Sequence, residues 1–253
     1  DHYRLRAIAG EAPFRLYASG QVRLVVSGVG KTATAAAIAY TQARFADERG
    51  PWLNIGIAGH ASAAIATPLL VHKAIDQANE RVYYPVFSFA PPCASTSLYT
   101  VDQPTSSYRQ EAACDMEASA FVETAQRFVP AELAHSLKVV SDNPQSRWQE
   151  ITRERIAEWI GAQLALVDTL REHLVSLATT WDKQRAIPAH FLQSLERWHF
   201  SASQQHRLQR LLTQWQAIAP SEEPWSDRAE FHRANAALDD LEARLGDPAR
   251  APF

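Results

Sequence analysis

The hydrophobic pattern of this chain changes once, near residue 150, and that change limits what the chain can fold into. Before it, short apolar runs alternate with helical stretches. Residues 22–27 read as a buried strand, broken by Gly28-Val29-Gly30. An alanine-rich helix follows over residues 32–44, and Gly50-Pro51 ends that unit. Residues 52–57, closed by Gly59, read as a second strand, and 69–75 and 82–87 as a third and fourth. Residues 97–101 and 137–141 are further short apolar runs. Between them lies a helix over 115–128, ended by Pro130. Strands alternating with helices predict an α/β sheet covered on both faces.

From residue 151 the period becomes helical. Ile156, Trp159, Ile160, Leu164, Val167, Leu170 and Leu174 fall on one face of one long helix. Three more helices are predicted after it. Pro188 suits the first turn of one that carries Phe191, Leu192, Leu195 and Trp198 on one face. Ser201 or Ser203 caps the next, with a stripe of Leu208, Leu211, Leu212 and Trp215. Ser226 caps the last, which carries Phe231, Leu238, Leu241 and Leu245 and stops at Gly246. Trp181, Trp198 and Trp215 recur every 17 residues, but their surroundings do not match, so one anchoring tryptophan per helix is expected rather than a repeat. The predicted division is an α/β domain over residues 1–178 and a helical extension over 179–253.

Composition excludes several classes. The 253 residues are 46% hydrophobic and 21% charged, as in an ordinary globular protein. A net charge of −3 gives no reason to expect nucleic acid or an anionic membrane as a partner. No apolar run approaches the roughly 18 residues of a membrane span. The two cysteines, Cys93 and Cys114, are too few for a disulfide framework or an all-cysteine zinc site, and fit a reducing, cytoplasmic setting. The histidines of the extension, His190, His199, His206 and His232, follow no metal-ligand spacing, and neither a metal nor an organic cofactor is expected.

Gly30-Lys31-Thr32 follows a strand, as in a phosphate-binding loop. That loop needs a glycine five residues before the second one, and Val25 stands there. A tight strand-to-helix turn is the expected reading. Four segments taken in order suggest more: Ser27-Gly28-Val29-Gly30-Lys31, Asn54-Ile55-Gly56-Ile57-Ala58-Gly59, Asp115-Met116-Glu117-Ala118 and Val139-Val140-Ser141-Asp142. Together, over about residues 14–175, they resemble the purine nucleoside phosphorylase and nucleosidase superfamily, and most closely its methylthioadenosine/S-adenosylhomocysteine nucleosidases.

The resemblance implies a three-layer, phosphorylase-like mixed sheet flanked by helices. It implies hydrolysis of the N-glycosidic bond of a purine nucleoside, with an adenosine thioether as the first substrate to test. Glu117 would hold the ribose diol, since a carboxylate accepts two hydrogen bonds. Met116 would pack on the sugar or base. Asp142 would address N7 of the departing purine, where an acid neutralises a poor leaving group. Ala58, Gly59 and Ser141 would line the pocket. Residues 99–104 would lie along the base, with Val101 or Pro104 as an apolar wall, and Tyr108 and Phe121 as candidate stacking surface. The family's pockets often form between subunits, which makes a homodimer a candidate assembly.

The residues also allow plainer readings. Glu117 could serve its own helix N-terminus, with Met116 as core filler. Asp142 could form an Asx-turn before Asn143-Pro144. His60 could reach the sugar's 5′ side or simply pack. Phosphorolysis is disfavoured, because Asn54 and Ile57 stand where the family's phosphorylases place an arginine and a hydroxyl. Residues 1–10 read as the tail of a first helix, and Glu11 falls in a turn. The resemblance therefore implies that the family's first strand, and the glutamate that activates water, lie upstream of Asp1. Without that base a nucleoside-sensing or partner-binding scaffold is the alternative function.

Overall fold

The computed structural model describes residues 2–246 apart from 47, 49, 110, 186, 226–230 and 232. Its elements are β1 (Arg6–Ala7), β2 (Arg15–Ser19), β3 (Val22–Val26), α1 (Lys31–Arg44), β4 (Trp52–His60), β5 (Pro68–Asp76), β6 (Val82–Tyr83), β7 (Ser95–Thr100), β8 (Ala112–Asp115), α2 (Ala118–Ala125) and β9 (Ala134–Asp142). They continue with α3 (Arg153–Gly161), α4 (Leu164–Arg185), α5 (Ala189–Arg197), α6 (Ala202–Ile218) and α7 (Ala234–Leu245). The chain divides into two compact units, Asp1–Trp181 and Asp182–Phe253.

The first unit is a mixed α/β fold. Its main sheet runs β6-β5-β7-β8-β4-β9, and β5 also pairs with β9, so the sheet curls and closes on itself. β7 lies parallel to β5 and β8, and β4 parallel to β9, whereas β4–β8 and β5–β9 are antiparallel. The period-2 alternation of the strands gives the sheet two apolar faces. Val71, Ala74 and Leu98 pack with Ile38 of α1 and with Phe121 and Val122 of α2. Leu70 and Leu137 pack with Val167 and Leu170 of α4. Helices therefore cover both faces. Among the described residues, no helix is long and apolar enough to cross a membrane.

Several elements depart from the sequence reading. Residues 1–10 contain a strand, not the tail of a helix: Arg6 and Ala7 pair with Ala18 and Tyr17. β1–β3 form a separate antiparallel sheet, so β3 is not a buried strand, and Leu24 and Val26 are exposed. β6 stops at Tyr83 because Pro85 supplies no backbone donor to a ladder. β8 is hidden in the sequence, since Ala112-Ala113-Cys114-Asp115 is too short and too small to show a period. The helix predicted over 115–128 starts only at Ala118. The long helix predicted from residue 151 is two helices, interrupted after Gly161, a residue that weakens helix interiors. β4 pairs with β9 along its length but with β8 only at Gly59 and His60. Its other edge over residues 52–58 has no strand partner among the described residues.

The second unit has its own core. Leu208, Leu211, Leu212 and Trp215 are all buried, as the stripe on α6 requires, and pack with Ala237, Leu238 and Leu241 of α7. Each buried indole finds an acceptor: Trp198 Nε1 donates to the Phe231 carbonyl (2.8 Å), and Trp215 Nε1 to that of Glu222 (2.9 Å). Trp181 packs instead on the core of the first unit, which is why the 17-residue spacing marks no repeat. Leu192 departs from the expected apolar face of α5 and is exposed. The cap at Ser226 lies outside the described residues; α7 begins at Ala234, after Arg233, and ends at Gly246.

Ser201, not Ser203, caps α6. Its hydroxyl accepts from Gln204 N–H, and the Gln204 side chain accepts from Ser201 N–H. Ser201→Ala removes half of this capping box. The expected loss is about 1 kcal/mol of stability in this unit, read as a shift in the urea midpoint with an unchanged slope.

Candidate active site

Two turns position the candidate residues, one after β3 of the small sheet and one after β9 of the main sheet. The first is Gly28-Val29-Gly30 between β3 and α1. Gly28 (φ 84°) and Gly30 (φ 99°) hold left-handed conformations that a side chain would strain. The Gly30 N–H donates to Glu117 Oε1 at 2.8 Å. Glu117 thus serves the turn before α1, not its own helix. The job of capping α2 falls to Asp115, whose Oδ2 accepts from Ala118 N–H at 2.9 Å. Burial, more than any neighbouring charge, raises the Glu117 carboxyl above its ordinary pKa. Met116 is half-buried beside it.

The second turn follows β9. Asn143 Oδ1 accepts from Gln145 N–H and Ser146 N–H, both at 3.0 Å, so Asn143 forms the Asx-turn before Pro144. Asp142 is released from that task. Its Oδ1 accepts from the Ser141 hydroxyl at 2.5 Å, and its Oδ2 from the Tyr108 hydroxyl at 2.6 Å. The ladder seats Asp142 beside Gly59 of β4 and Gly59 beside Cys114 of β8. A Cβ at Gly59 would lie 2.5 Å from both Asp142 Oδ2 and Tyr108 Cε1. Ala58 and Val101 are buried at the same strand ends.

A charged network underlies both turns. Lys138 reaches past Gly56, which leaves room for the amine, to Asp115 Oδ2 at 2.9 Å. Asp115 Oδ1 also accepts from the Thr100 hydroxyl at 2.8 Å. Lys31 Nζ meets both oxygens of Asp76 at 3.0 Å and Asp102 at 2.7 Å. Lys31 is therefore neutralised by carboxylates, which removes the last resemblance to a phosphate loop. Arg109 lies 3.9 Å over the Tyr99 ring. Among the described residues, no hydrogen bond or ion pair joins Glu117 to Asp142.

Three side chains take up structural parts, of which packing was already open to His60 and Phe121. His60 is buried, and its Nδ1 accepts from the N–H groups of Ser62 and Ala63, so it fastens the turn after β4. Burial lowers its pKa and favours the neutral ring. Phe121 packs in the core. Tyr108 presents its hydroxyl to Asp142 rather than a free stacking face. The Lys138–Asp115 pair was open to discovery in the sequence, because a lysine inside the apolar run 137–140 must have a partner. Nothing in the sequence gives the Tyr108 contact, which spans 34 residues.

No protein-family model matches this chain, and no curated protein matches it. Solved structures do match. One is a 5′-methylthioadenosine/S-adenosylhomocysteine nucleosidase from Colwellia psychrerythraea in complex with adenine, at 18% identity over 56% of this chain and 76% of that one, TM-score 0.44. In fold, the chain is similar to these nucleosidases. The enzyme from S. pneumoniae with a transition-state inhibitor shares 15% identity over 62% of this chain and 87% of its own, TM-score 0.46. That from Neisseria meningitidis, in complex with methylthio-immucillin-A, shares 17% over 56% and 79%, TM-score 0.42. At these identities the likeness is one of backbone arrangement, and no residue role is carried across from it.

Two expectations follow from the geometry. Gly59→Ala puts a methyl group where Asp142 and Tyr108 now lie. It is expected to destabilise the first unit by about 1–3 kcal/mol, measured by chemical denaturation. Glu117 gives a pH signature. A carboxyl whose pKa is raised by folding binds its proton more tightly folded than unfolded. Stability contributed by Glu117 is therefore lost as pH rises from the unfolded pKa through the folded one. Glu117→Gln keeps the acceptor for Gly30 and does not ionise. Relative to wild type, this variant should gain stability as pH rises above the ordinary carboxylate range in urea titrations. A difference independent of pH would contradict the burial of the charge.

Proposed function

We propose that the first unit binds a purine nucleoside at the carboxyl ends of β4, β7, β8 and β9 and hydrolyses its N-glycosidic bond. One observation carries this reading: Asp115 and Asn143 perform the structural tasks that Glu117 and Asp142 could have had. Both carboxylates therefore stand near strand ends without capping a helix or an Asx-turn, Glu117 accepting from the Gly30 N–H and Asp142 from two side-chain hydroxyls that a ligand can displace. Glu117 grips the ribose hydroxyls, and Met116 packs on the sugar. Asp142 carries a proton to N7 of the purine as the bond between C1′ and the base breaks and its electron pair leaves with the base. Water then adds its hydroxyl to C1′, and its other proton returns through solvent to the Asp142 carboxylate. Ala58, Gly59, Val101 and Ser141 shape the slot for the base. The sugar passes through an oxocarbenium-like state, which nearby negative charge stabilises. Methylthioadenosine is the first substrate to test. Phosphate is disfavoured as the nucleophile, because Lys31 and Lys138 are held by the protein's own carboxylates.

A second reading is a nucleoside-binding scaffold without turnover. It is favoured by the fact that Asp76, Asp102 and Asp115 are all tied to lysines, which leaves none of them beside Asp142 as a ready base for water. A single assay separates the readings. The full-length gene product is incubated with methylthioadenosine and with inosine, with and without phosphate, and free base is followed. Release without phosphate is the expected result. Strict dependence on phosphate contradicts hydrolysis, and tight binding with no release favours the scaffold.

A further inference from the structure

Asp142 is not empty-handed, and the group it holds has the shape and chemistry of a base. The Tyr108 phenol is a flat aromatic ring that points a hydrogen-bond donor at the carboxylate, 2.6 Å from Oδ2. It stands against the bare face of Gly59, where even a Cβ would collide with both the ring and the carboxylate. Adenine offers the same combination, a flat ring with N–H donors at its edge.

We infer that Tyr108 is a gate that occupies the base slot in the ligand-free protein and must leave it before a purine can reach Asp142. This inference rests on the nucleoside reading above. Tyr108 is placed to move. It belongs to the connection between β7 and β8, which is held near its start by the Lys31–Asp102 ion pair and near its end by Arg109 over Tyr99. Tyr108 lies between these two ties, so the phenol can withdraw while both ends stay fixed. The gate acts through Asp142 and is a positioning residue. Closed, it also keeps bulk water from the carboxylate, which is buried. The consequence for ligands is selective. A ligand must repay the hydrogen bond it breaks, so bases with an N–H donor aimed at the carboxylate can displace the phenol, and apolar rings of the same size cannot.

The test uses adenine as the probe and the full-length gene product, in wild-type, Tyr108→Phe and Asp142→Asn forms. Tyr108→Phe keeps the ring and removes the donor. Adenine should bind this variant about tenfold tighter or more, since the hydrogen bond to Asp142 no longer holds the gate shut. A second readout follows the gate itself. With 3-fluorotyrosine in place of tyrosine, the fluorine resonance lost in Tyr108→Phe belongs to Tyr108. It should shift when adenine is added, and it should sit at the shifted position without adenine in Asp142→Asn. Adenine bound equally by wild type and Tyr108→Phe, with an unmoved resonance, overturns the gate and leaves the purine reading standing. Adenine bound by neither form overturns both.

Discussion

Replacing Lys138 with methionine is expected to lower the stability of the first unit by about 3–5 kcal/mol. Lys138 and Asp115 are 1% and 0% exposed, and their side chains meet at 2.9 Å. Methionine fills much the same volume, so packing is largely kept. What is lost is the ammonium paired with a carboxylate that water cannot reach. Thr100 and the Ala118 N–H still donate to Asp115, but two neutral donors do not balance a buried charge. Asp115 also caps α2 and neighbours Glu117, so the loss reaches the site. The companion variant Lys138→Met/Asp115→Asn removes both charges together. It should recover a large part of the loss, because an isolated charge is worse than no pair at all. Urea denaturation of the single and double variants measures both effects. A double variant no more stable than Lys138→Met would show that the pair is not what matters at this position.

Asp142→Asn is expected to slow release of base by about 10²–10⁴-fold, the usual contribution of a positioned acid. Asparagine keeps the size and one acceptor oxygen, which serves the Ser141 hydroxyl. It has no proton to give to N7, so binding of the nucleoside should suffer much less than turnover. A fall in kcat much larger than any rise in KM separates this role from a general distortion of the site. Equal activity of the variant and wild type would remove Asp142 from the reaction.

Much of this was legible in the sequence, for definite reasons. The runs 69–75 and 137–141 read correctly because burial in the sheet keeps them mostly apolar, and the stripe on α6 because burial of one face dictates it. The turn at Gly28-Val29-Gly30 was legible because positive φ demands glycine. β8 was not, since four small residues carry no period and pair only through contacts distant in sequence. β3 reads as a core strand on its valines and leucine, yet it lies in a separate sheet with exposed side chains. Glu117 and Asp142 were legible as residues with two readings each. What the sequence could not supply was the identity of the neighbours, Asp115 and Asn143, that take up the structural tasks. Those are matters of which backbone N–H points where, and they are fixed only when the turns close.

The most direct test of the central claim is a calorimetric titration of the full-length gene product with adenine and with methylthioadenosine, repeated for Asp142→Asn and Glu117→Gln. Adenine has no ribose, so the account expects Glu117→Gln to bind adenine as wild type does and to bind methylthioadenosine at least tenfold more weakly, by loss of a charge-assisted hydrogen bond. Asp142→Asn should weaken adenine itself. Glu117→Gln binding both ligands as wild type does, or neither ligand binding the wild-type protein, would contradict the assignment of these two carboxylates to sugar and base.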